Sequence, residues 1–168
     1  SLQSIIGSDG SSLQDTISNL WESFNELSKE YTTSVAGGYL RENAVALVGE
    51  FSGIEEQLIK MQNELDIDVD NVVEQINDYT RQIANLNDKI TSGEAGGVLC
   101  CELRDSRESI IAELAKLIDI QVEDFSDTAV NIRCGNGHLV IGTDTNRLST
   151  SQNIAQSTFR NPVWEKTG

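Results

Sequence analysis

"VVEQINDYTRQIANLNDKI", Val72 to Ile90, places apolar residues at 72, 76, 79, 83, 86 and 90, in steps of four and three. That spacing returns to one side of an α-helix every second turn, so the stretch predicts a helix with one apolar seam. Upstream the seam continues through Leu40, Ala44, Leu47, Phe51, Ile54, Leu58, Met61, Leu65 and Val69. Two steps of four meet at Leu65, a stutter that locally straightens a supercoil. One unbroken helix over the 51 residues from Leu40 to Ile90 would be about 76 Å long at the standard rise. Gly49 and Gly53 weaken its first half, each by roughly 1 kcal/mol relative to Ala. "LDIDVDN" (Leu65–Asn71) is the expected break, because Asp and β-branched residues gather there and Asp70 has the chemistry of an N-cap.

Two further helices are expected beside this one. Leu13, Ile17, Leu20, Phe24, Leu27 and Tyr31 repeat the same spacing after "SSLQD", where Ser12 and Asp15 resemble a capping box. Gly37 and Gly38 then mark a turn. Leu103, Ile110, Leu114 and Leu117 form one face of a third segment, with Leu99 and Ile111 at its edge. Short connections make such neighbours antiparallel. The fold class is therefore mainly α, a long antiparallel helical rod with coiled-coil-like heptads, then a small β-meander, α+β overall. The expected organisation is a helical rod domain over 1–117, with helices at about 12–34, 39–91 and 100–117. Residues 118–168 follow as the meander and the start of an outer β domain.

The meander rests on a change of period. Ile118, Ile120 and Val122 alternate, as do Val130 and Ile132, and "HLVIG" follows "GNG". Turns are expected at Ser126–Asp127 and Asn136–Gly137. From Thr143 onward the pattern is weak.

Composition excludes several functions. The 168 residues hold 12 Lys and Arg against 27 Asp and Glu, a net charge of −15. A surface of that sign does not bind nucleic acid or anionic lipid. No apolar run approaches the length that inserts into a membrane. With one proline, Pro162, helices run without interruption. Ser1 opens the chain without an initiator Met or a signal-peptide pattern, so a piece of something larger is expected.

The chemical motifs fail individually. Asp66, Asp68 and Asp70 start like a calcium loop, but Asn71 and Asn77 stand where Gly and Glu are required. Cys100, Cys101, Cys134 and His138 have metal-binding chemistry, yet adjacent cysteines lack the two to four residues that separate zinc pairs. Three thiols leave at least one free or paired with another chain, and neighbours form a strained disulfide. "GNGHLVIG" has its last Gly two residues late for a dinucleotide loop. His138 has no nucleophile to serve. No catalytic residue, cofactor or metal is expected, and the carboxylates read as solvated helix faces.

The order of these segments resembles the flagellar hook-associated protein 1 family. The residues that carry the likeness are Ile76, Asn77, Ile83, Leu86, Asn87 and Ile90 in the long helix and Leu103, Asp105 and Arg107 in the third. Val130, Gly137, Leu139, Val140 and Gly142 carry it in the meander. The likeness covers about residues 1 to 148. Where the family tends to have Asn before its Glu-Leu or Asp-Leu pair, this chain has Cys101, so the third helix is expected to start late or fray. The resemblance implies a non-enzymatic structural part of the bacterial flagellum that joins hook to filament by self-association in a ring. It implies contacts with hook protein and filament-junction proteins, and an export chaperone on a terminal segment outside this chain. It also implies export through the flagellar type III apparatus without a cleaved signal peptide, and an extracellular location. A flagellin-like filament subunit or another coiled-coil adaptor is the alternative, one that would share the heptads but lack "ELRDSR" followed by a meander.

Overall fold

The computed structural model describes residues 2–29, 34–152 and 159–165, with side chains from 12 onward within those ranges except Ser34. Three helices come first: α1 (Leu2–Lys29), α2 (Ser34–Glu94) and α3 (Cys101–Leu117). Six strands follow: β1 (Gln121–Asp124), β2 (Val130–Cys134), β3 (Gly137–Ile141), β4 (Asp144–Thr145), β5 (Leu148–Gln152) and β6 (Arg160–Trp164). Two compact units result, Ser1–Glu64 and Leu65–Gly168, and α2 contributes to both.

Helix boundaries differ from the expectation in three places. α1 begins well before Ser12, whose hydroxyl donates to Glu50 Oε1 at 2.9 Å instead of capping. Gly37 and Gly38 lie inside α2 rather than at a turn. Residues 30–33, Tyr31 among them, lie outside the described residues. The expected break at Leu65–Asn71 does not occur; α2 runs through it. Two of its acids, Asp66 and Asp70, are taken up by distant partners (below), which removes the competition with backbone that makes Asp a helix breaker.

In the first unit α1 and α2 run antiparallel. Asn43 Nδ2 donates to the Asn19 carbonyl, and Ser12 meets Glu50 further along in the opposite sense. Ser23 and Ala36 are buried here, both small. Ile17, Trp21 and Phe24 stand exposed, as do Phe51 and Leu58 of the seam. Two helices cover only one stripe of each other, so the rest of their apolar surface stays open.

The second unit holds the large core. Ile83, Ile90, Leu114, Ile132, Leu139 and Val140 are fully buried, joined by Val73, Ile76, Ala84, Val130 and Leu148. α2 presents positions 73, 76, 77, 80, 83, 84, 87 and 90 to this core. That face is rotated from the apolar seam: Val72 is exposed and Leu86 half-buried, while Asn77, Thr80 and Asn87 are buried.

Strands β1 to β4 form one antiparallel sheet in chain order, and β5 pairs with β6. The β2–β3 turn uses Gly135–Asn136, with Cys134 opposite Gly137, one residue earlier than expected. Gly135 has φ +55 and Asn136 is not left-handed, the pattern of a II′ turn and not of the Asn-Gly I′ turn. Register slips between Ile132 and Arg133: Ile132 faces Val140, but Arg133 faces His138. Leu139 is the extra residue of this bulge, which lets two neighbours, Leu139 and Val140, both point inward.

Gly142 turns the chain into β4 at φ +59, and a Cβ there would lie 3.0 Å from the Phe125 ring. Gly142→Ala is expected to lower stability by about 1–2 kcal/mol through left-handed backbone strain. A urea melt with a lower midpoint and unchanged slope is the expected result; an unchanged midpoint would refute it.

Candidate functional site

Asn87 lies on the core face of α2 with no exposed surface. Its Nδ2 donates to the Val130 carbonyl at 2.8 Å and to the Gly142 carbonyl at 2.6 Å. Its Oδ1 accepts from Arg107 Nη1 at 2.7 Å and from Val130 N at 3.3 Å. Both amide donors and both acceptor lone pairs are thereby in use. Towards Val130 the carboxamide behaves as one residue of an adjoining strand, exchanging both backbone bonds. Asn77 does the same for Leu148, donating to its carbonyl at 2.8 Å and accepting from its N–H at 2.9 Å. Ten residues of helix separate the two amides, about 15 Å of rise, so α2 holds the start of β2 and the start of β5 at a fixed spacing. Thr80, buried between them, donates to the Asn77 carbonyl at 2.9 Å.

Arg107 ties α3 into this node. It projects inward from the second turn of α3, bonds Asn87, and donates from Nη1 to the Thr128 carbonyl at 2.8 Å. Burial pulls its guanidinium pKa down, and the neighbouring Arg104 charge adds to that. Gly142 N donates to Asn131 Oδ1 at 2.8 Å, which secures the turn whose carbonyl Asn87 receives. No buried side-chain nitrogen or oxygen lacks a partner among the described residues.

The turn between α2 and α3 is closed by a charge pair. Glu94 accepts from Arg104 Nε at 2.8 Å and Nη2 at 2.6 Å, a two-pronged contact, and from Cys100 N at 2.9 Å. Arg104 also donates to the Asp127 carbonyl at 2.7 Å. Cys100, the N-cap, has no capping side-chain bond, yet α3 starts at Cys101 without delay. Glu94 takes the N–H of the N-cap residue itself, and the Cys100 carbonyl accepts from Leu103 N and Arg104 N at 3.1 Å, so the first turn closes without a capping side chain and the expected late start does not arise. The Arg104 guanidinium first, and the Cys100 N–H second, hold the Glu94 carboxyl at about 2, down from an ordinary 4.5.

Two acids of the expected break latch the β5–β6 pair. Thr150 Oγ1 donates to Asp70 Oδ1 at 2.6 Å, Arg160 Nη1 donates to Asp70 Oδ2, and Arg160 N donates to Asp66 Oδ1 at 2.8 Å. These partners hold Asp70 below the usual carboxylate range, the Thr150 hydroxyl foremost. Asp66 and Asp70 are one helical turn apart and so meet the same strand pair.

Among the residues named from the resemblance, the structure brings Asn77, Asn87, Arg107 and Gly142 into bonded contact with the sheet or its turn. Ile76 and Ile83 are buried beside the amides, and Leu86 and Leu103 are half-buried. Asp105 is exposed with no ion pair among the described residues. Gly137 clears the indole of Trp164, with which a Cβ would collide. Periodicity missed Glu94, Asp66, Asp70 and Thr80. The legible signal was the placing of Asn77, Thr80 and Asn87 next to buried isoleucines, where a solvated polar face would not lie. Cys100, Cys101 and Cys134 are free thiols, and burial pushes the Cys134 pKa up. Among the described residues no three His, Cys, Asp or Glu side chains cluster as metal ligands.

The chain matches the family model of the flagellar hook-associated protein FlgK helical domain over residues 1–166. It belongs to that family. Flagellar hook-associated protein 1 of Salmonella typhimurium is 28% identical over 160 residues, 94% of this chain and 29% of the relative. The Bacillus subtilis protein of the same name is 29% identical over 114 residues, 68% of this chain and 22% of the relative. The chain thus spans less than a third of either. The solved structure of the flagellar hook junction protein FlgK from Burkholderia pseudomallei superposes with a TM-score of 0.81 at 23% identity. It covers 90% of this chain and 27% of that one, and shares its fold. The family match runs through the strands that the two asparagines hold.

Two outcomes follow from this geometry. Asn87→Ala strands the Val130 and Gly142 carbonyls and takes one of the two acceptors from the buried Arg107, so a loss of about 3–5 kcal/mol is expected. A urea midpoint within error of the parent would show that water replaces the amide freely. Glu94 has a folded pKa below its unfolded one, so its stabilisation is complete above 4.5 and is lost as pH falls through about 2. Thermal melts between those values should fall less steeply for Glu94→Gln than for the unaltered chain; equal slopes would exclude the clasp as a contributor.

Proposed function

We propose that this chain is the helical segment of a hook-associated protein that joins hook to filament in the bacterial flagellum. The observation that carries this reading is the family match across residues 1–166, supported by relatives whose names are those of hook-associated proteins. In this reading residues 1–117 form a helical domain and 118–168 begin an outer β domain. The parent protein assembles with copies of itself in a ring between hook protein and filament-junction proteins. It leaves the cell through the flagellar type III apparatus without a cleaved signal peptide, helped by a chaperone on a segment outside this chain.

The role is mechanical, and no catalysis is assigned. The buried polar groups agree with that, since Asn77, Asn87 and Arg107 hold helices to strands. Exposed Ile17, Trp21 and Phe24 of α1 supply apolar surface for assembly contacts.

Deletion of the parent gene tests the reading. Cells should still build hooks, shed filament subunits into the medium and stop swimming. The full-length protein should restore swimming, and this chain alone should not. Unimpaired swimming after deletion, or rescue by this chain alone, would overturn it.

A further inference from the structure

Arg107 is 8% exposed, yet both of its acceptors are neutral: the Asn87 carboxamide and the Thr128 carbonyl, each bonded to Nη1. Among the described residues no carboxylate lies within ion-pair distance, and Nε and Nη2 make no hydrogen bond to protein; since no fully buried side-chain nitrogen lacks a partner, these two atoms reach solvent. Arg104, one turn away, is the contrast, because it uses those same two nitrogens on Glu94. Arg107 lines a groove of about 510 Å³ between α3 and strands β1 and β2. Arg104, Arg107 and Glu108 line it with Ile111, Val122 and Val130. Val122 is 48% exposed at the mouth.

A guanidinium stays charged at any physiological pH, and two neutral acceptors together with the more distant Glu94 and Asp124 charges offset only part of the cost of burying it beside Arg104. The free Nε and Nη2 form the fork that a carboxylate meets with two parallel bonds. Apolar walls suit the methylenes of an acidic side chain. Glu108 at the rim and a net charge of −15 work against a multiply charged phosphate.

We propose that this groove receives an aspartate or glutamate side chain from a second copy of this protein, clasped by Nε and Nη2 of Arg107. The source is a like copy because the role proposed above is self-association and the chain has exposed carboxylates to offer. Exposed Asp68, Glu74 and Asp88 of α2 have no ion pair among the described residues. Such a contact gives the assembly a polar, register-sensing point beside its apolar surfaces. The proposal rests on the self-association assigned above.

The test uses the full-length parent protein, expressed in its own cells with a benzophenone amino acid in place of Glu108, an exposed residue at the rim. Ultraviolet light should yield a dimer of the parent, with a cross-linked peptide that contains Asp or Glu. Val122→Glu sets the chain's own carboxylate at the mouth of the groove and should cut that dimer about tenfold, while Val122→Thr should not. Circular dichroism melts of the three proteins should coincide. No cross-link, a cross-link to a different protein, or an undiminished dimer in Val122→Glu overturns the proposal. Antibody labelling of flagella separates the two readings. Parent protein that is absent from flagella but still cross-links to itself overturns the junction role and leaves the groove standing. Parent protein present on flagella without the dimer overturns the groove alone.

Discussion

The second unit depends on one buried carboxamide. Strand ends and turns placed against a helix leave backbone N–H and C=O groups with no partner, and each such group costs about 1–3 kcal/mol if left dry. Asn87 removes that cost for Val130 and Gly142 with one side chain, and its oxygen also accepts from Arg107. Three elements therefore meet on four polar atoms. Leucine at this position would be equally buried but would leave the strand carbonyls unsatisfied, so the site selects for chemistry and not for hydrophobicity.

Asn77 repeats the device at Leu148, and Asp70 and Asp66 extend it to the β5–β6 pair. Along α2, from Asp66 to Glu94, a series of polar side chains reaches out to later segments of the chain. The helix acts as a template: β2, β5 and β6 are each held by a polar residue that stands opposite, and apolar packing fills the space between. This accounts for the rotation of the buried face away from the heptad seam. The seam maximises apolar contact with another helix, whereas strand ends and turns must be met by amides as well.

The first unit joins its helices, among the described residues, through the exposed or half-buried bonds of Ser12 to Glu50 and of Asn43 to the Asn19 carbonyl. Its α1–α2 contact buries small residues and leaves Trp21, Phe24, Phe51 and Leu58 open. Open apolar surface at helical spacing is surface against which a further helix can pack. The division of labour is then a dense unit that fixes strand placement and a thinner one with apolar surface to share.

The sequence by itself determined the local order. Steps of four and three announced the long helix, and alternation from Ile118 to Val122 and at Val130 and Ile132 announced the meander. The acidic balance and failed motif spacings removed nucleic-acid and metal chemistry from the expected functions. Asn77, Asn87 and Arg107 entered through family likeness and not through any pattern, because periodicity counts apolar residues and these are polar. Only the tertiary structure decided which face of α2 is buried, that Leu65–Asn71 stays helical, that Glu94 holds the residue just before α3, and that Leu139 bulges. Each of those rests on partners 6 to 94 residues away in the chain, or on register between strands. A hydrogen-bond acceptor supplied from that distance leaves no trace in local spacing, since its identity depends on where the fold brings the two groups together.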